Sequence, residues 1–162
     1  VVSQSDIASE VGWKVIKSGG NAVDGAIATA FALAVTHPTA GNIGGGGFIV
    51  FRSADGNATT FDFREMAPAG SSPTMWMKDG KYDFDIHHNS HRSVGVPGTV
   101  AGLYLAHQKL GSKPWKDLVL PAVALARASG VASDRSGDVS MPNAPPGVRA
   151  GRWPRRGSPA RR

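Results

Sequence analysis

The sequence contains no cysteine. This excludes a disulfide scaffold, a thiol nucleophile and any zinc or iron–sulfur site built on thiolates. Long hydrophobic runs are also missing. The longest uncharged apolar stretch, Gly25 to Val35, falls short of the roughly 20 residues a bilayer requires, so no membrane span is expected. Acidic residues are absent from 139–162, which hold six arginines, so the net charge of +6 belongs to that tail. A basic chain points first to nucleic acid, but here the first 138 residues are neutral and only the extension is basic. What is present suffices for a folded body: 162 residues, 41% of them hydrophobic, fit one domain or part of a larger one.

Periodicity predicts a first helix opening at Ser3 or Ser5, with Asp6 and Glu10 early, Lys14 and Lys17 late, and Ile7, Val11 and Val15 on one stripe. Gly19-Gly20 ends it. Asn21 caps a second helix, with Asp24 placed to complete a capping box, and Ala22 to Val35 is small or apolar on nearly every face. Such a helix is buried. Phe48-Ile49-Val50-Phe51 reads as a buried strand, and Thr60-Phe61-Asp62-Phe63 as its returning partner around Asp55-Gly56. Residues 70–93 read as loop. Helices follow at about Thr99–Leu110, with Val100, Leu103, Tyr104 and His107 as the stripe, and at Trp115–Ser129, with Leu118, Val119, Ala122, Leu125 and Ala126 inward and Pro121 as a kink or the true start. The Arg/Pro/Gly-rich residues 133–162 are expected to be disordered.

Several patterns carry potential chemistry. The run Gly44–Gly47 follows a helix and precedes a strand, whereas a dinucleotide loop needs the reverse order. It reads instead as a close-packed lead-in to a strand, or as bare backbone lining a substrate site. Arg64-Glu65, at a strand end, is either a surface ion pair or a guanidinium placed to grip a carboxylate through two parallel hydrogen bonds. His87, His88 and His91 suggest a metal, but their neighbours read as a solvated loop and Arg92 adds an adjacent cation, so no metal site is expected. None of the seven threonines or the serines lies in a nucleophile-elbow or Ser-x-x-Lys arrangement, and Thr59-Thr60 has no basic partner beside it.

The order of these blocks says more than any one of them. Lys17-Ser-Gly-Gly-Asn-Ala-Val-Asp24, Asn42-Ile-Gly-Gly-Gly-Gly-Phe48, Asp62-Phe-Arg-Glu-Met-Ala-Pro68, Val94-Gly-Val-Pro-Gly98 and Pro121-Ala-Val-Ala-Leu-Ala126 together resemble the γ-glutamyltranspeptidase (glutathione hydrolase) family across residues 1–132. The resemblance implies an α+β chain forming the N-terminal portion of the large subunit in an N-terminal nucleophile hydrolase αββα sandwich. It also implies a zymogen that cuts itself into two subunits. The threonine opening the small subunit attacks the γ-glutamyl amide, its own α-amine serving as base, and the acyl group passes to water or an amino acid. On this resemblance Arg64 matches the arginine that holds the substrate α-carboxylate, and Glu65 is an orienting partner. No residue of this chain is the nucleophile, and no cofactor or metal is implied. The partners implied are a γ-glutamyl substrate such as glutathione and the small subunit, in a periplasm or cell exterior.

Further expectations accompany this reading. The segment alone should be inactive and marginally stable, since half a sandwich exposes one face of each sheet. The start at Val1, without a leader, suggests processing or truncation, and the change of composition near Ser133 suggests out-of-frame translation or a truncated product. The alternatives are a related acylase or poly-γ-glutamate-processing enzyme of the same fold, and a basic nucleic-acid-binding module acting through the tail.

Overall fold

A computed structural model describes residues 1–128. The expected boundary at 132/133 and the expected disorder of 133–162 lie outside the described residues.

Two helices form an antiparallel pair at the start. In α1 (Asp6–Lys17) Ser5 caps the first turn by accepting from the Ala8 amide, and in α2 (Ala22–Thr36) Asn21 and Asp24 complete the capping box in both directions, at 3.0 and 2.9 Å. The two helices touch through bare backbone. A Cβ on Gly12 would lie 2.1 Å from Thr29 Oγ1, and one on Gly25 would lie 2.8 Å from the Ile16 side chain. As its composition predicts, α2 is the central helix: no residue from Ile27 to Thr36 is exposed. Its Ile27, Ala28 and Phe31 meet Phe61, Leu103, Ala106, Leu118 and Ala122 from the later elements in one core.

The strands β1 (Phe48–Arg52) and β2 (Ala58–Asp62) form an antiparallel pair, with Phe48 opposite Asp62 and Arg52 opposite Ala58. The reading of β1 as a buried strand is corrected. Ile49 and Phe51 pack on the core, but Phe48 is 63% and Val50 79% exposed. A two-stranded ribbon covered by helices on one side can bury only alternate residues.

Residues 70–93 are also more ordered than their composition suggested. A hairpin, β3 (Met77–Lys78) with β4 (Lys81–Tyr82), turns through Asp79-Gly80, both at positive φ. These dihedrals suit the tight two-residue turn that Asp-Gly favours. Next comes α3 (Phe84–Asn89), capped by Asp83, which accepts from the Ile86 amide at 2.9 Å, and a 3-10 turn at His91–Ser93.

The helix α4 (Thr99–Leu110) has the expected bounds but a rotated face. It buries Thr99, Gly102, Leu103 and Ala106, while Val100 and Tyr104 are exposed. Gly102 admits the Phe63 ring that follows β2, Leu103 faces the core, and Val100, Tyr104 and Leu105 turn outward. In α5 (Trp115–Ala128) Leu118 and Ala122 are buried, Val119 packs at the core margin, Ala126 is exposed, and Pro121 sits inside the helix rather than at its start. Trp115 meets Phe31 edge to face at 5.5 Å.

Candidate functional site

The chain leaves β2 through Phe63-Arg64-Glu65, and this short segment is clamped from two sides by glycine backbone. On one side, the Phe63 amide donates to the Gly47 carbonyl at 3.1 Å, and a Cβ on Gly46 would lie 2.7 Å from the Phe63 carbonyl. On the other, a Cβ on Gly98 would lie 2.1 Å from that same carbonyl, and one on Gly102 would lie 2.0 Å from the Phe63 ring. Any larger residue would push the segment away.

The two glycine-containing blocks are joined to each other as well. Gly45 O accepts from the Gly98 and Thr99 amides at 2.8 and 3.0 Å, while Asn42 Oδ1 accepts from the Gly45 amide and the Thr99 hydroxyl at 2.9 and 2.6 Å. Thr99 is buried, so its hydroxyl needs this partner. Asn42 therefore ties the glycine run to the start of α4, a role its sequence position alone did not reveal. Of the readings for Gly44–Gly47, close packing describes Gly45, Gly46 and Gly47, while Gly44 is exposed with open space around it.

Arg64 follows directly. Its amide donates to Asp62 Oδ1 at 3.0 Å, closing a local turn, and its side chain is exposed. Beyond Glu65 the chain is held by a reciprocal bridge: Met66 N donates to Val96 O at 3.2 Å and Val96 N to Met66 O at 2.8 Å. Arg64, Glu65, Met66, Trp76, Arg92 and Gly95 are among the residues that line one open cavity of about 400 Å³. That size falls in the range of small-molecule sites. Arg64 and Glu65 do not pair with each other; the ion pair among the described residues is Lys14–Glu10, on the surface of α1. The surface-ion-pair reading of Arg64-Glu65 is thus set aside, and the guanidinium faces the cavity uncommitted.

The remaining candidate residues lie elsewhere. Thr59 and Thr60 are exposed in β2, opposite Phe51 and Val50, and neither lines the cavity. His87 Nδ1 lies 2.7 Å from the Tyr82 hydroxyl and its ring packs on Trp76, while His88 stacks on Phe84 at 4.0 Å and His91 sits in the 3-10 turn. Among the described residues no three His, Asp or Glu side chains gather as a metal would require. Arg92, noted from sequence only as a cation beside the histidines, is the cavity-lining residue whose place could not be anticipated.

Comparison with known proteins gives the family and the fold. A sequence model described as gamma-glutamyltranspeptidase matches residues 8–140. The chain is 49% identical over 139 residues to the glutathione hydrolase proenzyme of Escherichia coli strain K12, covering 85% of this chain and 24% of that protein. It superposes on the gamma-glutamyltranspeptidase of Helicobacter pylori with a TM-score of 0.74 at 45% identity, covering 77% of this chain and 36% of the other. For the Pseudomonas nitroreducens gamma-glutamyltranspeptidase complexed with L-DON the TM-score is 0.72 at 43% identity, covering 76% and 37%. The chain thus spans about a quarter of the curated relatives' length. Its mixed helix-and-sheet body is a partial N-terminal nucleophile hydrolase fold, as the sequence led one to expect. With three of the five sequence blocks, Asn42–Phe48, Asp62–Pro68 and Val94–Gly98, meeting beside Arg64, and with these matches, the chain belongs to the γ-glutamyltranspeptidase family.

Proposed function

We propose that residues 1–132 form the N-terminal portion of the large subunit of an enzyme that cleaves γ-glutamyl amides, glutathione among them, and passes the γ-glutamyl group to water or an amino acid. In this reading Arg64 holds the α-carboxylate of the substrate. The observation that carries it is the guanidinium of Arg64, unpaired among the described residues, set on a backbone clamped between Gly46 and Gly98 and facing a cavity of substrate size. A planar fork held this way can make two parallel hydrogen bonds to a carboxylate, and a fixed backbone avoids the ordering cost of a flexible loop.

The attacking threonine and the groups for the oxyanion and the substrate amine belong, on this reading, to the small subunit of the same precursor. The same reading makes the catalysis metal-free and cofactor-free, with nucleic acid playing no part, and places the enzyme in a periplasm or outside the cell. The test uses the full-length protein that carries this segment, with γ-glutamyl-p-nitroanilide as donor. Arg64→Lys should raise KM by about tenfold or more, because an ammonium cannot reproduce the two-point grip. An unchanged KM overturns the assignment of Arg64.

A further inference from the structure

Arg92 gives the cavity a second guanidinium that the reading above does not use. Its backbone is fixed locally: Ser90 Oγ accepts from the Arg92 amide at 3.2 Å and donates to Ile86 O at 2.6 Å, while Ser93 Oγ donates to Ser90 O at 2.6 Å. The Met66–Val96 bridge brings this turn beside the Phe63–Glu65 segment, so Arg64 and Arg92 line the same cavity although they are far apart in sequence. Among the described residues Arg92 makes no ion pair. Glu65 is the one acidic residue of the lining, so two cations and one anion face the cavity. Met66, Met75 and Trp76 add apolar side chains to the same wall. A cavity lined by a cation from each of two separately anchored segments, with apolar side chains beside them, suits a ligand carrying two carboxylates.

We infer that Arg92 is a specificity-determining residue that binds a second carboxylate, located on the amine side of the scissile γ-glutamyl amide. This deepens the proposed function and rests on it: Arg64 takes the glutamyl α-carboxylate, and Arg92 takes the terminal carboxylate of the leaving peptide. The same position receives the carboxylate of an acceptor dipeptide, since leaving amine and incoming amine occupy one side of the acyl group. Arg92 touches neither the amide carbon nor the nucleophile, so its contribution falls on KM rather than kcat.

The experiment compares donors in the full-length protein. With glutathione, Arg92→Gln should lower kcat/KM by about 10- to 100-fold, mainly through KM, the size expected for losing a charge-assisted hydrogen bond. With γ-glutamyl-p-nitroanilide, which lacks the second carboxylate, the change should stay within about twofold. Arg92→Lys should restore part of the difference. An equal effect on both donors, or no effect on either, overturns the inference. Should Arg92→Gln fail to fold, the unmodified protein still decides it. A kcat/KM preference of about tenfold or more for glutathione over its C-terminal amide, shrinking as salt is raised, supports the inference, and a ratio near one overturns it. Transfer to glycylglycine against glycylglycine amide separates the acceptor's carboxylate from the donor's. Arg64→Lys weakens both donors alike if the α-carboxylate reading holds. If it weakens neither, that reading fails, while the donor contrast at Arg92 still reports on Arg92 alone.

Discussion

Asp24 shows how one residue can do two jobs at separate places in the chain. Its carboxylate completes the cap of α2 and also accepts from the Ser112 amide, the Ser112 hydroxyl and, at 3.4 Å, the Lys113 amide. Asn21 adds a bond from its Nδ2 to Leu110 O at 2.6 Å, and Lys113 Nζ returns one to Ser18 O at 2.6 Å. The link between α4 and α5 is therefore stitched to the N-terminus of α2. Burial alone would push the Asp24 carboxyl up, but the bonds from Ser112, Asn21 and Lys113 together outweigh it and hold the group below its ordinary value. A folded-state value below the unfolded one means stability that is present above about pH 4 and is lost as pH falls through the lowered folded value. Asp24→Asn should cost about 2–3 kcal/mol at neutral pH, and the gap to wild type should narrow at acid pH, once the lowered folded value is passed. Urea midpoints of both proteins at the two pH values check this. A gap that widens in acid would show that the carboxylate is not the stabilising form.

Among elements, what the sequence revealed depended on how local the signal was. The bounds of α1 and α2 follow from Ser5, Gly19-Gly20 and the Asn21–Asp24 box, all within a few residues of the ends they set. The buried face of α4 was legible only at Leu103, because Val100 and Tyr104 outweigh Gly102 and Ala106 in any hydrophobic pattern. The structure turns the small residues inward to admit Phe63, a contact between segments far apart in sequence. The β3–β4 hairpin was hidden by its polar flanks Lys78 and Lys81, although Asp79-Gly80 announces the turn. At the site, Arg64 was legible from its place at a strand end and from the family-like block around it. Arg92 was not, since only the Met66–Val96 bridge brings it to the cavity. The contact of α4 with Phe63 leads to a prediction at this scale. Gly102→Ala puts a methyl where the Phe63 ring now sits and should destabilise by about 1–3 kcal/mol while displacing Arg64. In the full-length protein this should raise KM for the γ-glutamyl donor. Phe63→Leu, made together with Gly102→Ala, should recover part of both losses if overpacking is the cause. Recovery of neither would place the cause elsewhere.

For the whole molecule, the decisive asymmetry lies between the two faces of the β1–β2 ribbon. One face, Ile49, Phe51 and the buried Phe61, is covered by helices; the other presents Phe48 and Val50 to solvent, and Ile43 and Val96 are also exposed. In an αββα sandwich the uncovered face of one sheet packs on its partner sheet, and side chains of this kind form that interface. Left open, they are a surface on which the chain associates with itself or with hydrophobic dyes. The 162-residue chain by itself should therefore bind an apolar fluorophore at neutral pH, sediment as more than a monomer as its concentration rises, and release no glutamate from a γ-glutamyl donor. Replacing Phe48 and Val50 together by threonine keeps strand propensity while removing most of the exposed apolar area, and should lower both dye binding and association with little change in helix content. In the full-length protein the same pair of substitutions should instead cost stability, because there the face is buried against the second sheet and each threonine hydroxyl would need a partner. Opposite signs in the two settings, read by sedimentation for the isolated chain and by urea unfolding for the full-length protein, would identify this face as the inner surface of the sandwich. Destabilisation of the isolated chain as well would mean that Phe48 and Val50 already support the helix-covered half.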